Sequence, residues 1–103
     1  FHVSDAVQLL QLMAEQANNT CLIVNGGTGV PITVREIAEK LCAAWSMETQ
    51  LEFSGKSREG DPQSLVADVS QARSLGFVPK VNWPAGVADY VEWFKHVNVQ
   101  AAT

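Results

Sequence analysis

Apolar residues recur at helical spacing in three stretches of the chain. Behind Ser4 and Asp5, either of which can cap a helix start, Ala6, Val7, Leu9, Leu10, Met13, Ala14 and Ala17 share one broad face, and Asn18-Asn19 closes the stretch. Val34, Ile37, Ala38, Leu41 and Trp45 form a second stripe. Thr33 and Glu36 stand before it at the spacing of a capping box, in which each satisfies a backbone N–H beside the other. Val87, Tyr90, Val91 and Phe94 form a third stripe behind Pro84, whose missing N–H costs nothing at a helix start. A brief further helix is expected after Asp68 or Ser70, stopping at Gly76, a good left-handed terminator. Between these lie shorter apolar runs. Phe1-His2-Val3 reads as the end of a strand. Cys21-Leu22-Ile23-Val24 is continuously apolar, as a strand buried on both faces would be. Gln50-Leu51-Glu52-Phe53 alternates like a strand with one wet face, and Leu65-Val66-Ala67 reads as extended. The predicted fold class is therefore α/β, a small domain of short strands and about four helices. It has too few strands for a complete doubly wound domain.

At 103 residues the chain is one domain at most, with a modest core. Residues 1–96 are expected to form that domain and residues 97–103 a frayed tail. Hydrophobic residues make up 47% and charged residues only 17%, a shortage of surface charge that points to a face awaiting a partner. The net charge of -4 argues against a nucleic-acid binder. No apolar run is long enough for a membrane span, and residues 1–3 are no basic leader, so the expectation is a cytoplasmic protein away from membranes. The chain opens on an apolar triplet without an initiator methionine, as a cut strand would. Cys21 and Cys42 lie 21 residues apart, too far for a close metal-binding pair. They are read as two small buried hydrophobes in a reducing compartment.

Candidate chemistry is sparse. Asn25-Gly26-Gly27-Thr28-Gly29 follows an expected strand, but a dinucleotide fingerprint needs a third glycine running straight into a helix, and Val30-Pro31-Ile32 stands there instead. A tight turn with positive φ explains the glycines, although bare backbone could approach a ligand. Arg58, in Arg58-Glu59-Gly60-Asp61, can fork onto a phosphate from a glycine turn, and Asp61 can accept from ribose hydroxyls; a solvated turn is the plainer explanation. Asp68 is expected to cap the amides of Ser70 and Gln71. His2 and His96 lie far apart with no nucleophile partner. Tyr90 has Phe94, not lysine, four residues on. Trp83 and Trp93 are expected to anchor a core. No catalytic residue and no metal ligand is assigned.

Taken in order, a series of motifs resembles the C-terminal part of the extended short-chain dehydrogenase/reductases, the family of NAD-dependent nucleotide-sugar epimerases and dehydratases. His2-Val3-Ser4-Asp5 looks like its H-V-x-D entry, Asn25-x-Gly27-x-Gly29 like its N-x-G-x-G turn, and Thr33-Val34-Arg35-Glu36-Ile37 like the capped helix that follows. Arg58-x-Gly60-Asp61 is similar to the substrate loop, Ala67-Asp68-x-Ser70 to A-D-x-S-K, and Leu75-Gly76-Phe77-x-Pro79 to L-G-W-x-P. Gly86-Val87 with Trp93 is similar to the closing helix. The resemblance covers residues 1 to about 95. It implies the substrate-binding domain of a nucleotide-sugar epimerase, dehydratase or reductase, without the Rossmann half. Arg58 would grip the diphosphate and Asp61 the ribose, and Asn25 and Gly27 would shape the floor of the site. Such a chain would bind a nucleoside-diphosphate sugar weakly. It would bind no cofactor itself, NAD or NADP being implied for a parent enzyme. It would not be catalytic alone, since the G-x-x-G-x-x-G loop and the Tyr-x-x-x-Lys pair are absent. A homo-oligomer, commonly a dimer, is implied. Gln71 departs from the family's lysine. The other expectation, from a different class, is an orphan module that self-associates through the face left by a missing cofactor domain.

Overall fold

A computed structural model describes residues 1–46, 48 and 50–101. Its elements are four helices: α1 (Val3–Glu15), α2 (Val34–Trp45), α3 (Ser70–Ser74) and α4 (Trp83–Ala101). The α/β expectation is corrected here, because no strand forms among the described residues. The helices stand close to where the apolar stripes put them. The short apolar runs at residues 21–24, 50–53 and 65–67 are present without regular pairing. A strand requires a neighbour for its N–H and C=O groups, which hydrophobic pattern alone does not supply. Exposure follows from that: Ile23 is 79% and Leu65 90% exposed, where a doubly buried strand was expected at the first.

The chain divides into two compact units. One comprises Phe1–Pro31 and Leu65–Trp83, the other Ile32–Ser64 and Pro84–Thr103. The first unit is built on α1 and α3. Leu9, Ala72 and Phe77 form its buried cluster, with Leu12, Met13 and Val24 packed against it. Phe1 meets Phe77 edge-on at 6.3 Å, so residues 1–3 enter the fold as an aromatic contact and a helix cap. The cap is His2, not Ser4 or Asp5: its Nδ1 accepts from the Ser4 N–H at 3.2 Å. The helix thus begins one residue before the expected capping positions. Asp5 is wholly buried inside the first turn instead.

α3 ends as its glycine predicts. Gly76 has φ +92°, its N–H donates to the Arg73 carbonyl at 2.9 Å, and the Phe77 N–H reaches the Ala72 carbonyl at 3.0 Å. These paired bonds are a Schellman motif, and the Ala72–Phe77 contact that accompanies it lies in the core. The N-cap of α3 is Val69, which makes no side-chain cap bond; Asp68, one residue earlier, accepts from the Ser70 N–H at 3.0 Å in a local turn and is not the cap that was expected.

The second unit is built on α2, α4 and the extended chain between them. Thr33 and Glu36 form the predicted capping box, with the Thr33 N–H donating to the Glu36 carboxylate at 2.7 Å and the Glu36 N–H to Thr33 Oγ1 at 3.2 Å. Trp45 packs on Phe94 at 5.6 Å between ring centres. Lys95 donates to the Ala44 carbonyl at 3.4 Å, placing a cation against the negative end of α2. On α4, Val91 is buried. Other burial expectations fail here. Val34, Ile37 and Leu41 are exposed, as are Tyr90 and Trp93, and Cys21 in the first unit is exposed although expected inside. Of the tail expected over residues 97–103, residues 102 and 103 lie outside the described residues.

Candidate functional site

The second unit carries the clearest presentation of a charged group. The Asp61 N–H donates to the Arg58 carbonyl at 3.2 Å, closing residues 58–61 into a turn. Gly60 is the third residue of that turn and has φ +90°, the left-handed backbone that a type II turn requires at this place. No atom lies within 4 Å of where a Gly60 side chain would begin, so the glycine is there for its φ and not for want of space. The turn points both charged side chains outward. Arg58 and Asp61 are exposed, and neither makes an ion pair or side-chain hydrogen bond among the described residues. An Arg–Asp pair satisfying itself on the surface is therefore absent, and the guanidinium keeps its fork of donors for another acceptor.

The extended chain leading to this turn carries an aromatic ring already engaged with a cation. The Arg35 guanidinium lies 4.3 Å from the centre of the Phe53 ring, and Arg35 also approaches Glu39 at 4.0 Å across one turn of α2. Phe53 remains 44% exposed.

Asn25 and Gly27 belong to the first unit, and Arg58 and Asp61 to the second. Asn25 is exposed. The glycine turn lies against the segment that precedes α3. A side chain at Gly27 would begin 3.1 Å from Ala67 Cβ, and one at Gly29 would begin 2.8 Å from Val69 Cγ2. Gly29 also has φ +71°, whereas Gly27 stands outside the left-handed region. Positive φ thus explains Gly29, and close approach to Ala67 explains Gly27. This loop does not fit a dinucleotide. The space beside its backbone is taken by Ala67 and Val69, and α2 starts only at Val34, so its free N–H groups do not follow the glycines.

The residue that sequence reasoning missed is Asp5. Its two carboxylate oxygens accept the backbone N–H groups of Lys80 (3.0 Å) and Val81 (3.1 Å), 75 and 76 residues away. The Lys80 N–H, opposed by burial and aided by the Val81 N–H, holds its carboxyl below the usual carboxylate value. Asp5 fastens the segment after the Schellman turn to the start of α1. The sequence signal available was an aspartate in the first turn of a helix with no lysine or arginine at helical spacing. A shallow groove of about 320 Å³ opens beside it, lined by Gln8, Gln11, Glu15, Phe77 and Lys80 among others, and none of the four expected ligand-binding residues lines it. Among the described residues no cluster of three metal-ligating side chains exists, and no helix is long and apolar enough to cross a membrane.

Known proteins resemble this chain over about seven-tenths of its length. GDP-L-fucose synthase of Escherichia coli is 31% identical over 71 residues, which are 69% of this chain and 22% of that protein. GDP-L-fucose synthase 1 of Arabidopsis thaliana is 34% identical over 71 residues, again 69% and 22%. A putative UDP-glucose 4-epimerase of Methanocaldococcus jannaschii is 31% identical over 81 residues, 74% and 25%. The matching stretch thus spans a quarter or less of these relatives' length. No family model and no solved structure matches the chain.

Proposed function

This chain belongs to the extended short-chain dehydrogenase/reductase family of nucleotide-sugar epimerases and reductases, matching part of its members' length, and from that premise we propose that it supplies substrate-binding residues for a nucleotide sugar. The observation that carries the reading is the 58–61 turn, which presents a guanidinium unpaired among the described residues on a backbone locked by Gly60. In this reading Arg58 grips the diphosphate with its fork of N–H groups and Asp61 accepts from the ribose hydroxyls. The chain carries out no chemistry alone. The nicotinamide cofactor of the family, NAD or NADP, would be held by residues other than the Asn25–Gly29 turn, which does not fit it. Binding is weak, because Glu52, Glu59 and Asp61 outnumber Lys56 and Arg58 in the segment that meets the phosphates.

Calorimetric titration with GDP and UDP tests the assignment. Arg58→Ala should weaken binding about tenfold or more, the size of a lost charge-assisted contact. Unchanged affinity in that variant would remove Arg58 from the site. A second reading is favoured by the exposed apolar side chains, Leu65, Val34 and Trp93 among them: a non-catalytic module that self-associates, commonly as a dimer.

A further inference from the structure

We propose that Phe53, braced by Arg35, is the platform on which the base of the bound nucleoside diphosphate stacks. The inference rests on the diphosphate reading of Arg58 and adds to it the part of the ligand that the turn cannot hold. A phosphate grip alone does not separate a nucleotide from any other polyanion, so a planar partner for the base must come from elsewhere. Among the aromatic rings of the second unit, Trp45, Tyr90, Trp93 and Phe94 are engaged with one another around α4. Phe53 stands apart from that group. Its recorded planar partner is the Arg35 guanidinium, 4.3 Å from the ring centre, and 44% of the residue stays exposed for a second one.

The arrangement suits a base in two ways. A guanidinium over one face of the ring holds the ring in place and leaves the opposite face as an apolar surface for a base. Phe53 also lies on the segment that leads to the phosphate grip. Arg58 lies five positions further along the chain. The fully extended reach of those five steps is about 17 Å, and Gly55, with φ +68°, bends the path. Base and diphosphate of one nucleotide then engage one continuous stretch of chain in one unit.

The test compares ligands with and without a base. GDP, UDP and inorganic pyrophosphate are titrated calorimetrically into the chain and into Phe53→Leu, Phe53→Trp and Arg58→Ala. Phe53→Leu keeps apolar bulk while removing the π face, which separates stacking from folding. The expected result is that GDP and UDP bind more tightly than pyrophosphate, and that Phe53→Leu weakens them about tenfold and leaves pyrophosphate unchanged. Phe53→Trp should retain or improve nucleotide binding, and Arg58→Ala should weaken all three ligands. Arg58-dependent pyrophosphate binding with no gain from a base, or nucleotide binding indifferent to Phe53→Leu, overturns the stacking platform and leaves the phosphate grip standing. Pyrophosphate binding that is absent or survives Arg58→Ala overturns the grip, and the platform with it.

Discussion

A single carboxylate, Asp5, spends both of its oxygens on backbone N–H groups and lies wholly out of solvent. No neutral side chain of similar size offers two acceptors in that geometry. Asparagine offers one oxygen and turns an N–H₂ group toward a second donor, and a protonated carboxyl does much the same with its O–H. Acid sensitivity follows, with a definite sign. The Lys80 and Val81 N–H groups lower the folded-state value of Asp5, so the carboxylate's contribution is fully present above the unfolded value, near pH 4, and is lost as pH falls through the lower folded value. Glu36 and Asp68 are lowered in the same direction, chiefly by the N–H groups of Thr33 and Ser70, and add to the slope. Asp5→Asn should therefore have a lower urea midpoint at neutral pH and a shallower loss of stability between pH 5 and pH 2 than the parent chain. Urea titrations across that range check both, and parallel acid profiles for the two proteins would show that Asp5 does not carry the predicted linkage.

Local chemistry that acts over three or four residues was legible in the sequence. Thr33 and Glu36 announce α2, and Gly76 announces the end of α3, because each supplies its hydrogen bond or its φ from within the segment. What the sequence concealed depends on partners far along the chain. The run at residues 21–24 has the composition of a buried strand, yet a strand is defined by its neighbour, and none is present among the described residues. The stripe on α2 has the right period for a core face, but period reports which residues share a face, not whether anything covers it. The same division holds for the candidate site. The turn geometry at residues 58–61 was readable from Arg-x-Gly-Asp, whereas the Arg35–Phe53 stack joins residues 18 apart and the packing of Gly27 on Ala67 joins residues 40 apart. The Schellman turn is the element on which most converges, since it stops α3 and sets Phe77 in the core next to the Asp5 anchor. Gly76→Ala forces a side chain into the left-handed region at φ +92°, which costs about 1–2 kcal/mol. No atom obstructs the added methyl, so the cost is conformational alone. Chemical denaturation should register a loss of that size, and Gly76→Asn, better tolerated in this conformation, should lose less. Equal stability of the alanine variant would mean that the turn does not hold this φ in solution.

Across the whole molecule the balance of buried and exposed apolar side chains sets the dominant physical risk and a testable property. The buried apolar residues described are Leu9, Val69, Ala72, Phe77 and Val91, while Ile23, Val34, Leu65, Trp93 and many others of similar bulk are substantially exposed. Each Å² of such surface removed from water gains about 25 cal/mol, so covering even a few of these side chains outweighs the loss of freedom on association at sufficient concentration. A net charge of -4 on 103 residues opposes contact only over a Debye length, about 8 Å in physiological salt. The chain should therefore self-associate. Sedimentation velocity should show a weight-average mass that rises with concentration above the 11.2 kDa of the single chain, and sulfate, which strengthens apolar burial, should increase it further. Trp93→Glu, which places a charge on the exposed side of α4, should lower the associated fraction if that face takes part. A mass fixed at that of the single chain across the concentration range, with no response to sulfate, would rule out the self-associating module and leave nucleotide binding as the property that the exposed 58–61 turn has to explain.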